Sequence, residues 1–322
     1  MKTTTALSIL ATLAATAQAH PHHLSARQQG GSKEAAAQFG TCSFDRTTAF
    51  TTPGASNPPV SRRQTSSTNS SSTWSPPSSM SAALDSVWEH EMSTYGGDPL
   101  TFKNYGYDQI METKGNIQYC VRWDSTKSVT AAQRASIATA LQKQFTKWVD
   151  AALKGFDGFP YEEVKVSVVG WATNNTALLE GASADGVTVY SSTADDAGIP
   201  ECDPACGRAI HYADGDYSGC AGGDAARYDV SLWLTDGLDG GFGGDWGQQV
   251  GTDYMLDNLD AENIHILLHE MGHTLALDDF YDWTPEGQSA FIMLAGSAME
   301  ITEFDAWMAR DWWRHIKSRY SL

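Results

Sequence analysis

Two histidines four residues apart carry the clearest chemistry in this sequence. They lie in ILLHEMGHTLALDDFYDW, residues 266–283, as His269 and His273, with Glu270 directly after the first. Residues four apart lie one turn apart on the same face of a helix, so both imidazoles can reach one point. Two nitrogen ligands beside a carboxylate are what a water-activating zinc site requires. The pattern therefore predicts a zinc site with His269 and His273 as ligands and Glu270 as the general base.

A third protein ligand must come from beyond this helix, because its next turn cannot complete a tetrahedron with the two histidines. Three aspartates follow where the chain would turn back, namely Asp278, Asp279 and Asp282. A more distant carboxylate, Glu300 or Glu303, would be the third ligand if the zinc site were of a different type. The residues alone leave these alternatives open.

Two other histidine-containing stretches are similar to part of this motif. His265 lies one turn before His269 on the same helix, and we expect it to be a core residue or to support a ligand. His90-Glu91-Met92 repeats the first three residues of the motif, but residue 94 is a threonine, so no second histidine follows. Neither stretch is predicted to bind the metal.

The spacing from His269 to Asp279 resembles the extended HExxHxxGxxH/D motif of the metzincin zinc peptidases. An aspartate in the third position, followed by Tyr281, is similar to the snapalysin-type members of that group. The resemblance implies one zinc ion, Asp279 as its third ligand, and Tyr281 as a group that stabilises the tetrahedral intermediate. It also implies protein or peptide substrates and a methionine turn beneath the zinc, for which Met293 in SAFIMLAGS is the candidate.

The sequence departs from that motif at one position. The glycine that permits a left-handed turn after the second histidine is Ala276 here. Alanine is disfavoured at positive φ, so the turn could be shaped differently. In that case Asp278 or Asp282 would replace Asp279 as the ligand.

The elements that must position these residues follow from hydrophobic periodicity and turn residues. We expect a helix from Met80, a strand at 116–124, a long helix at 130–155 and a strand at 163–172, with two weaker strands after it. DGLDGGFGGDWGQQVG, residues 236–251, is predicted to be a glycine-rich loop.

The last two helices complete the predicted fold. Asp260 is the expected N-cap of the active-site helix, and Thr302 and Asp305 form a capping-box pair at the start of the final one. The order of elements predicts an α+β domain. By the resemblance it would be metzincin-like, with a mixed twisted sheet, a long backing helix, an active-site helix, a methionine turn and a C-terminal helix.

The N-terminal quarter of the chain has the composition of processing segments. Residues 1–19 have the form of a secretory signal, 20–63 of a disordered prosegment, 64–79 of a Ser/Thr/Pro-rich linker, and 80–322 of the catalytic domain. We therefore expect an extracellular protein that matures by cleavage. Cys42 in the prosegment is a candidate latency switch, since a thiolate can occupy the open position of a zinc site.

Cysteine number and charge limit the remaining functions. Loss of Cys42 leaves four of the five cysteines, an even number suited to two disulfides in an oxidising compartment, while a Cys₃His zinc site with His211 is the alternative. The net charge of −18 would repel nucleic acid, and no later stretch is apolar enough to span a membrane. Asn69 and Asn174 begin glycosylation sequons.

Other ligands and functions remain as hypotheses. The aspartates of the glycine-rich loop, Asp236, Asp239 and Asp245, could bind calcium. Removal of the signal would leave His20 at a new N-terminus, which could bind copper together with His22 and His23. Eleven tryptophans, including Trp312-Trp313, raise the alternative of a polysaccharide-binding protein. The chain is also similar to a group of secreted fungal proteins, some of which are labelled cellulose-binding. An inactive zincin is a further alternative.

Overall fold

The computed structural model describes residues 73–94, 98–182 and 186–322. The predicted signal, the prosegment, most of the linker, Cys42, the histidines near residue 20 and the Asn69 sequon lie outside these ranges. Packed structure begins inside the predicted linker, because Trp74 packs edge-on against Trp307 at 5.4 Å between ring centroids. No helix in the described ranges is long and apolar enough to cross a membrane.

A six-stranded sheet forms the centre of the fold, with the strand order β3-β2-β1-β4-β6-β5. Neighbouring strands are parallel except β5 and β6, which form an antiparallel hairpin at one edge. The strands are β1 Asn116–Asp124, β2 Lys165–Thr173, β3 Thr188–Tyr190, β4 Val230–Thr235, β5 Gly241–Gly244 and β6 Gly247–Gly251. The predicted α+β class and mixed sheet are therefore confirmed.

The α-helices in the described ranges surround this sheet. They are α1 Ser78–Thr94, α2 Gly106–Glu112, α3 Ala131–Trp148, α4 Arg208–His211, α5 Thr252–Asp257, α6 His265–Thr274 and α7 Glu303–Ile316. The long predicted helix is α3, whose Thr130 and Gln133 form a capping box. It continues as a π-turn over Val149–Leu153, and Gly155 follows at φ +69°.

The glycine-rich segment is not a loop. It forms the β5–β6 hairpin, in which Gly241 and Gly243 face helix α6. A Cβ atom on Gly243 would lie 2.3 Å from the backbone oxygen of Glu270, which no real contact allows. Glycine is needed here because the helix backbone approaches the strand, and composition alone could not separate this reason from flexibility.

The predicted N-cap at Asp260 is also wrong. Helix α6 begins at His265, its N-cap is Ile264, and no side chain of that residue caps it. Two distant side chains accept hydrogen bonds from its first N–H groups instead. Gln144 Oε1 accepts from Ile264 N at 3.3 Å, and the Tyr254 hydroxyl accepts from Ile266 N at 3.2 Å.

Covalent and terminal contacts close the fold. The four described cysteines form the disulfides Cys120–Cys202 and Cys206–Cys220, so the two predicted disulfides are confirmed and the Cys₃His alternative is excluded. Two disulfides are typical of proteins that fold in an oxidising compartment. After α7, Arg319 donates to the carbonyl oxygens of Leu100 and Phe102, so the end of the chain is held against the start of the domain.

Candidate metal centre

Helix α6 holds His269, Glu270 and His273 against the hairpin and the core. Leu267, Leu268 and Met271 are fully buried, as the periodicity predicts. Only 3% of His269 and 1% of Glu270 is exposed. Such deep burial of polar side chains requires compensating partners.

The ligand atoms of the two histidines and of Asp279 converge on one point. His269 Nε2 lies 3.2 Å from His273 Nε2, and Asp279 Oδ1 lies 2.9 Å from the former and 3.4 Å from the latter. Ligands at zinc distances in a tetrahedron lie about 3.3 Å from one another. The three separations therefore match a tetrahedral site with one open position.

Each imidazole is oriented by a backbone carbonyl. His269 Nδ1 donates to the oxygen of Ile292 at 2.7 Å, and His273 Nδ1 donates to that of Leu277 at 2.8 Å. Because a carbonyl oxygen only accepts, both neutral rings carry their proton on Nδ1 and present a lone pair from Nε2. With both rings neutral, three electron-pair donors face each other, and a proton or a metal ion between them makes the arrangement favourable.

Electrostatics favours positive charge at this point. Burial alone would lower the pKa of His273, but the charge and hydrogen bond of Asp279 raise the pKa overall. Burial acts in the opposite sense on Asp279, and the two histidines hold the pKa of its carboxyl well below the usual value. The same negative charge that raises the pKa of His273 attracts a divalent cation. Two imidazoles and one carboxylate are a donor set that Zn²⁺ takes.

The turn that delivers Asp279 forms although it lacks a glycine. Ala276 adopts φ +65°, in the left-handed region. The N–H groups of Ala276 and Leu277 donate to the oxygens of His273 and Gly272, at 3.0 and 3.1 Å. These are the two hydrogen bonds of a Schellman motif, so the backbone keeps the shape that a glycine would give it.

The competing carboxylates lie elsewhere. Asp278 Oδ1 accepts from the N–H of Asp279 at 2.9 Å, and its Oδ2 faces His90 at 3.9 Å. Asp282 and Glu300 are exposed. Glu303 Oε1 accepts from the indole of Trp307 at 3.5 Å. Of the five candidates from the sequence, the structure brings Asp279 to the histidines.

Glu270 lies beside the ligands. Its Oε2 is 3.8 Å from His273 Nε2. The ligand atoms of His269, Glu270 and His273 also lie within 4.8 Å of one another. A Cβ atom on Gly241 would lie 2.5 Å from Glu270 Oε1, so the hairpin backbone covers this carboxylate.

Met293 lies directly beneath the helix. It is fully buried, and a Cβ atom on Gly272 would be 2.3 Å from its sulfur. Gly272 separates Met271 from His273, so the thioether packs against the backbone that carries the ligands. Met293 therefore lies against the part of α6 that carries the two histidines, and its role as a methionine turn stays a prediction.

Asp305 holds this methionine segment in place. Its carboxylate is fully buried and accepts from Ile292 N at 2.9 Å, from Met293 N at 3.2 Å and from Thr302 N at 2.8 Å. The capping box predicts the contact with Thr302, but not those with residues 292 and 293. Burial raises the pKa of Asp305, although its hydrogen bonds oppose the change.

Tyr281 and His265, the two other residues singled out from the sequence near the motif, lie apart from the point where the three candidate ligands meet. Tyr281 is 46% exposed on the segment that follows Asp279. His265 Nδ1 lies 2.9 Å from the Tyr254 hydroxyl, and burial, with a smaller contribution from His269, lowers the pKa of His265.

The aspartates proposed for calcium are not brought together. Asp236 accepts from Ser125 and Thr126, whereas Asp245 accepts from Asn104 at the other end of the hairpin.

The chain matches no protein-family model, no curated protein and no solved structure. The likeness to the metzincins therefore rests on the sequence motif alone.

Proposed function

We propose that this protein is a secreted, zinc-dependent endopeptidase. The observation that carries the proposal is the convergence of His269 Nε2, His273 Nε2 and Asp279 Oδ1 within 3.4 Å of one another. Each histidine has its other nitrogen committed to a backbone carbonyl. With both rings neutral, three acceptors face each other, an arrangement that a divalent cation between them would stabilise.

A bound zinc ion would polarise the scissile carbonyl and make a water molecule acidic enough to lose a proton near neutral pH. Glu270 is placed to accept that proton on Oε2 as the water oxygen attacks the carbonyl carbon. The same carboxyl then donates the proton to the amide nitrogen as the C–N bond breaks. Tyr281, exposed on the neighbouring segment, is the candidate donor to the developing oxyanion.

The edge strand offers a place for an extended substrate. β5 is the last strand of the sheet and lies against Glu270 through its glycines. Its outer edge presents backbone N–H and C=O groups of the kind that pair with an added strand. A peptide bound there would run past the general base, which favours cleavage within a chain.

Zinc content and casein hydrolysis of wild type beside Glu270→Gln test the proposal. We expect about one zinc in both proteins and a loss of cleavage of at least about 10³-fold in the variant. A wild type that binds no zinc would refute the site. Zinc without cleavage in either protein would leave latency, a narrow substrate preference or an inactive zincin as explanations.

The Trp312-Trp313 pair does not support the polysaccharide-binding alternative. Trp312 and Trp313 are 2% and 0% exposed, so neither ring face can stack on a sugar. The exposed large apolar side chains there are Ile210, Tyr281, Met299 and Leu322.

A further inference from the structure

We propose that His90 and Glu91, on helix α1, are positioning residues that aim Asp279 at the two histidines. The inference rests on the proposed zinc site and extends that site to the N-terminal helix. Both residues belong to the His90-Glu91-Met92 stretch, which cannot bind metal by itself. In the fold it reaches the segment that carries the third ligand.

The first contact lies one residue before that ligand. The buried carboxyl group of Glu91 faces the backbone N–H of Asp278, which lowers the pKa of the carboxyl against the larger effect of burial. His90 Nε2 lies 3.9 Å from Asp278 Oδ2, while Asp278 Oδ1 accepts from the N–H of Asp279. Both the backbone and the side chain of Asp278 are therefore in contact with α1.

The second contact lies at the far end of the same segment. The imidazole of His90 stacks on the indole of Trp283, with 4.5 Å between centroids and 13° between the ring planes. Trp283 in turn packs against Phe280 at 5.9 Å. The α1 residues thus hold both ends of residues 278–283, with Asp279 between them.

Helix α1 is itself firmly anchored. Trp88 stacks on His315 at 3.7 Å and packs edge-on against Trp312 at 5.2 Å, both on helix α7. Leu84 and Val87 are buried in the main core. His90 and Glu91, which together form a clamp on residues 278–283, are therefore anchored to α7. The first turn of α7 also holds the backbone of Ile292 and Met293 through Asp305.

The segment needs such a clamp. Residues 277–283 belong to no helix or strand, and the turn before them places Ala276 at positive φ. A metal ligand must be held within about 0.5 Å of its productive position. Besides α1, the Schellman turn and the buried ring of Phe280, which packs against Phe291 at 5.0 Å, hold this segment.

The experiment uses full-length protein and four variants of one helix. Glu91→Ala and His90→Ala remove the contacts, Glu91→Gln keeps an amide oxygen facing the same N–H group, and Glu89→Ala is the matched control at an exposed position. Burial, with the charges of Asp278 and Asp311, raises the pKa of Glu91 well above its usual value, so the uncharged glutamine is a close mimic. Two quantities are measured: the zinc dissociation constant by chelator competition, and amide hydrogen exchange of residues 276–283 in metal-free protein.

We expect Glu91→Ala and His90→Ala to weaken zinc binding by about 10- to 100-fold, and Glu91→Gln and Glu89→Ala to stay within about threefold of wild type. Exchange should accelerate in residues 276–283 for the two alanine variants, and remain slow in the α6 core. Unchanged exchange in Glu91→Ala would overturn the clamp, whatever the zinc result.

Faster exchange with unchanged zinc affinity would overturn the positioning role alone. A wild type that binds no zinc would remove the proposed function together with this role, and exchange would still show whether α1 restrains the segment.

Discussion

Asp305 and His269 hold opposite sides of one residue, Ile292. The carboxylate accepts from the N–H of Ile292 at 2.9 Å, and His269 Nδ1 donates to its carbonyl oxygen at 2.7 Å. A charged group thus orients a ligand through an intervening backbone group. Partners of this kind fix the tautomer and the direction of the ring before any metal binds.

Asp305→Asn should therefore lower both stability and metal affinity. One acceptor oxygen becomes a donor that faces backbone N–H groups, so at least one buried hydrogen bond is lost at a cost of about 1–3 kcal/mol. Urea denaturation with and without zinc measures the loss. The control is Asp282→Asn, an exposed aspartate near the same site; equal midpoints for the two variants would contradict the role of Asp305.

Ala276→Gly should stabilise the metal-free protein. Alanine at φ +65° costs about 1–2 kcal/mol, of which part is offset by the greater freedom that glycine gives the unfolded chain. The expected gain is about 0.5–1 kcal/mol in the free energy of unfolding. Ala276→Val is the opposing variant and should destabilise, because a β-branched residue is disfavoured at positive φ. A more stable valine variant would show that this turn is not strained.

Gly243→Ala should damage the site from the strand side. The new Cβ atom would meet the backbone of Glu270, so strand and helix must separate. We expect peptidase activity to fall by at least about tenfold with a smaller change in zinc content. Gly219→Ala, where the nearest atom is the Ala205 Cβ at 3.3 Å, is the control. Full activity in Gly243→Ala would place the substrate edge elsewhere.

Stability should depend on the ionisation of Asp229. Burial raises the pKa of this carboxyl to about 7, although the backbone of Gln118 donates to it. Its contribution to stability is complete below the unfolded-state pKa of about 4 and is lost as pH rises through about 7. Asp229→Asn, which cannot ionise, should remove that fall between pH 4 and 7.

Thermal denaturation at several pH values measures the effect. Asp224→Asn serves as the control, because the side chain of Asp224 is 99% exposed. Parallel pH profiles for wild type and Asp229→Asn would show that the pKa of this carboxyl is the same in the folded and unfolded protein.

The sequence predicts those features that are encoded locally. The strand at 116–124 and the helix over His269 and His273 follow from periodicity, and the capping box of α7 follows from Thr302 and Asp305. The β5–β6 hairpin does not, because its glycines respond to a helix backbone that is remote in sequence. The same holds for the start of α6, which depends on Gln144 and Tyr254 rather than on Asp260.

Asp279, the candidate third ligand, shows both what the sequence can predict and what it cannot. Spacing singles out Asp279, whereas the missing glycine argues for a different turn, and only the backbone hydrogen bonds of the Schellman motif decide between them. The contacts of His90 with Asp278 and Trp283 join residues from opposite ends of the domain. No local pattern could have indicated them.

The contacts between the two ends of the domain bear on its biosynthesis. Arg319 bonds to Leu100 across 219 residues of sequence, and α1 packs on α7, so the last helix completes structure begun by the first. Contacts of such long range slow folding, since the chain between them must close first. A nascent chain therefore lacks Asp305 beneath Ile292 until α7 has left the ribosome, so the proposed metal centre cannot take its final shape before α7 has been made.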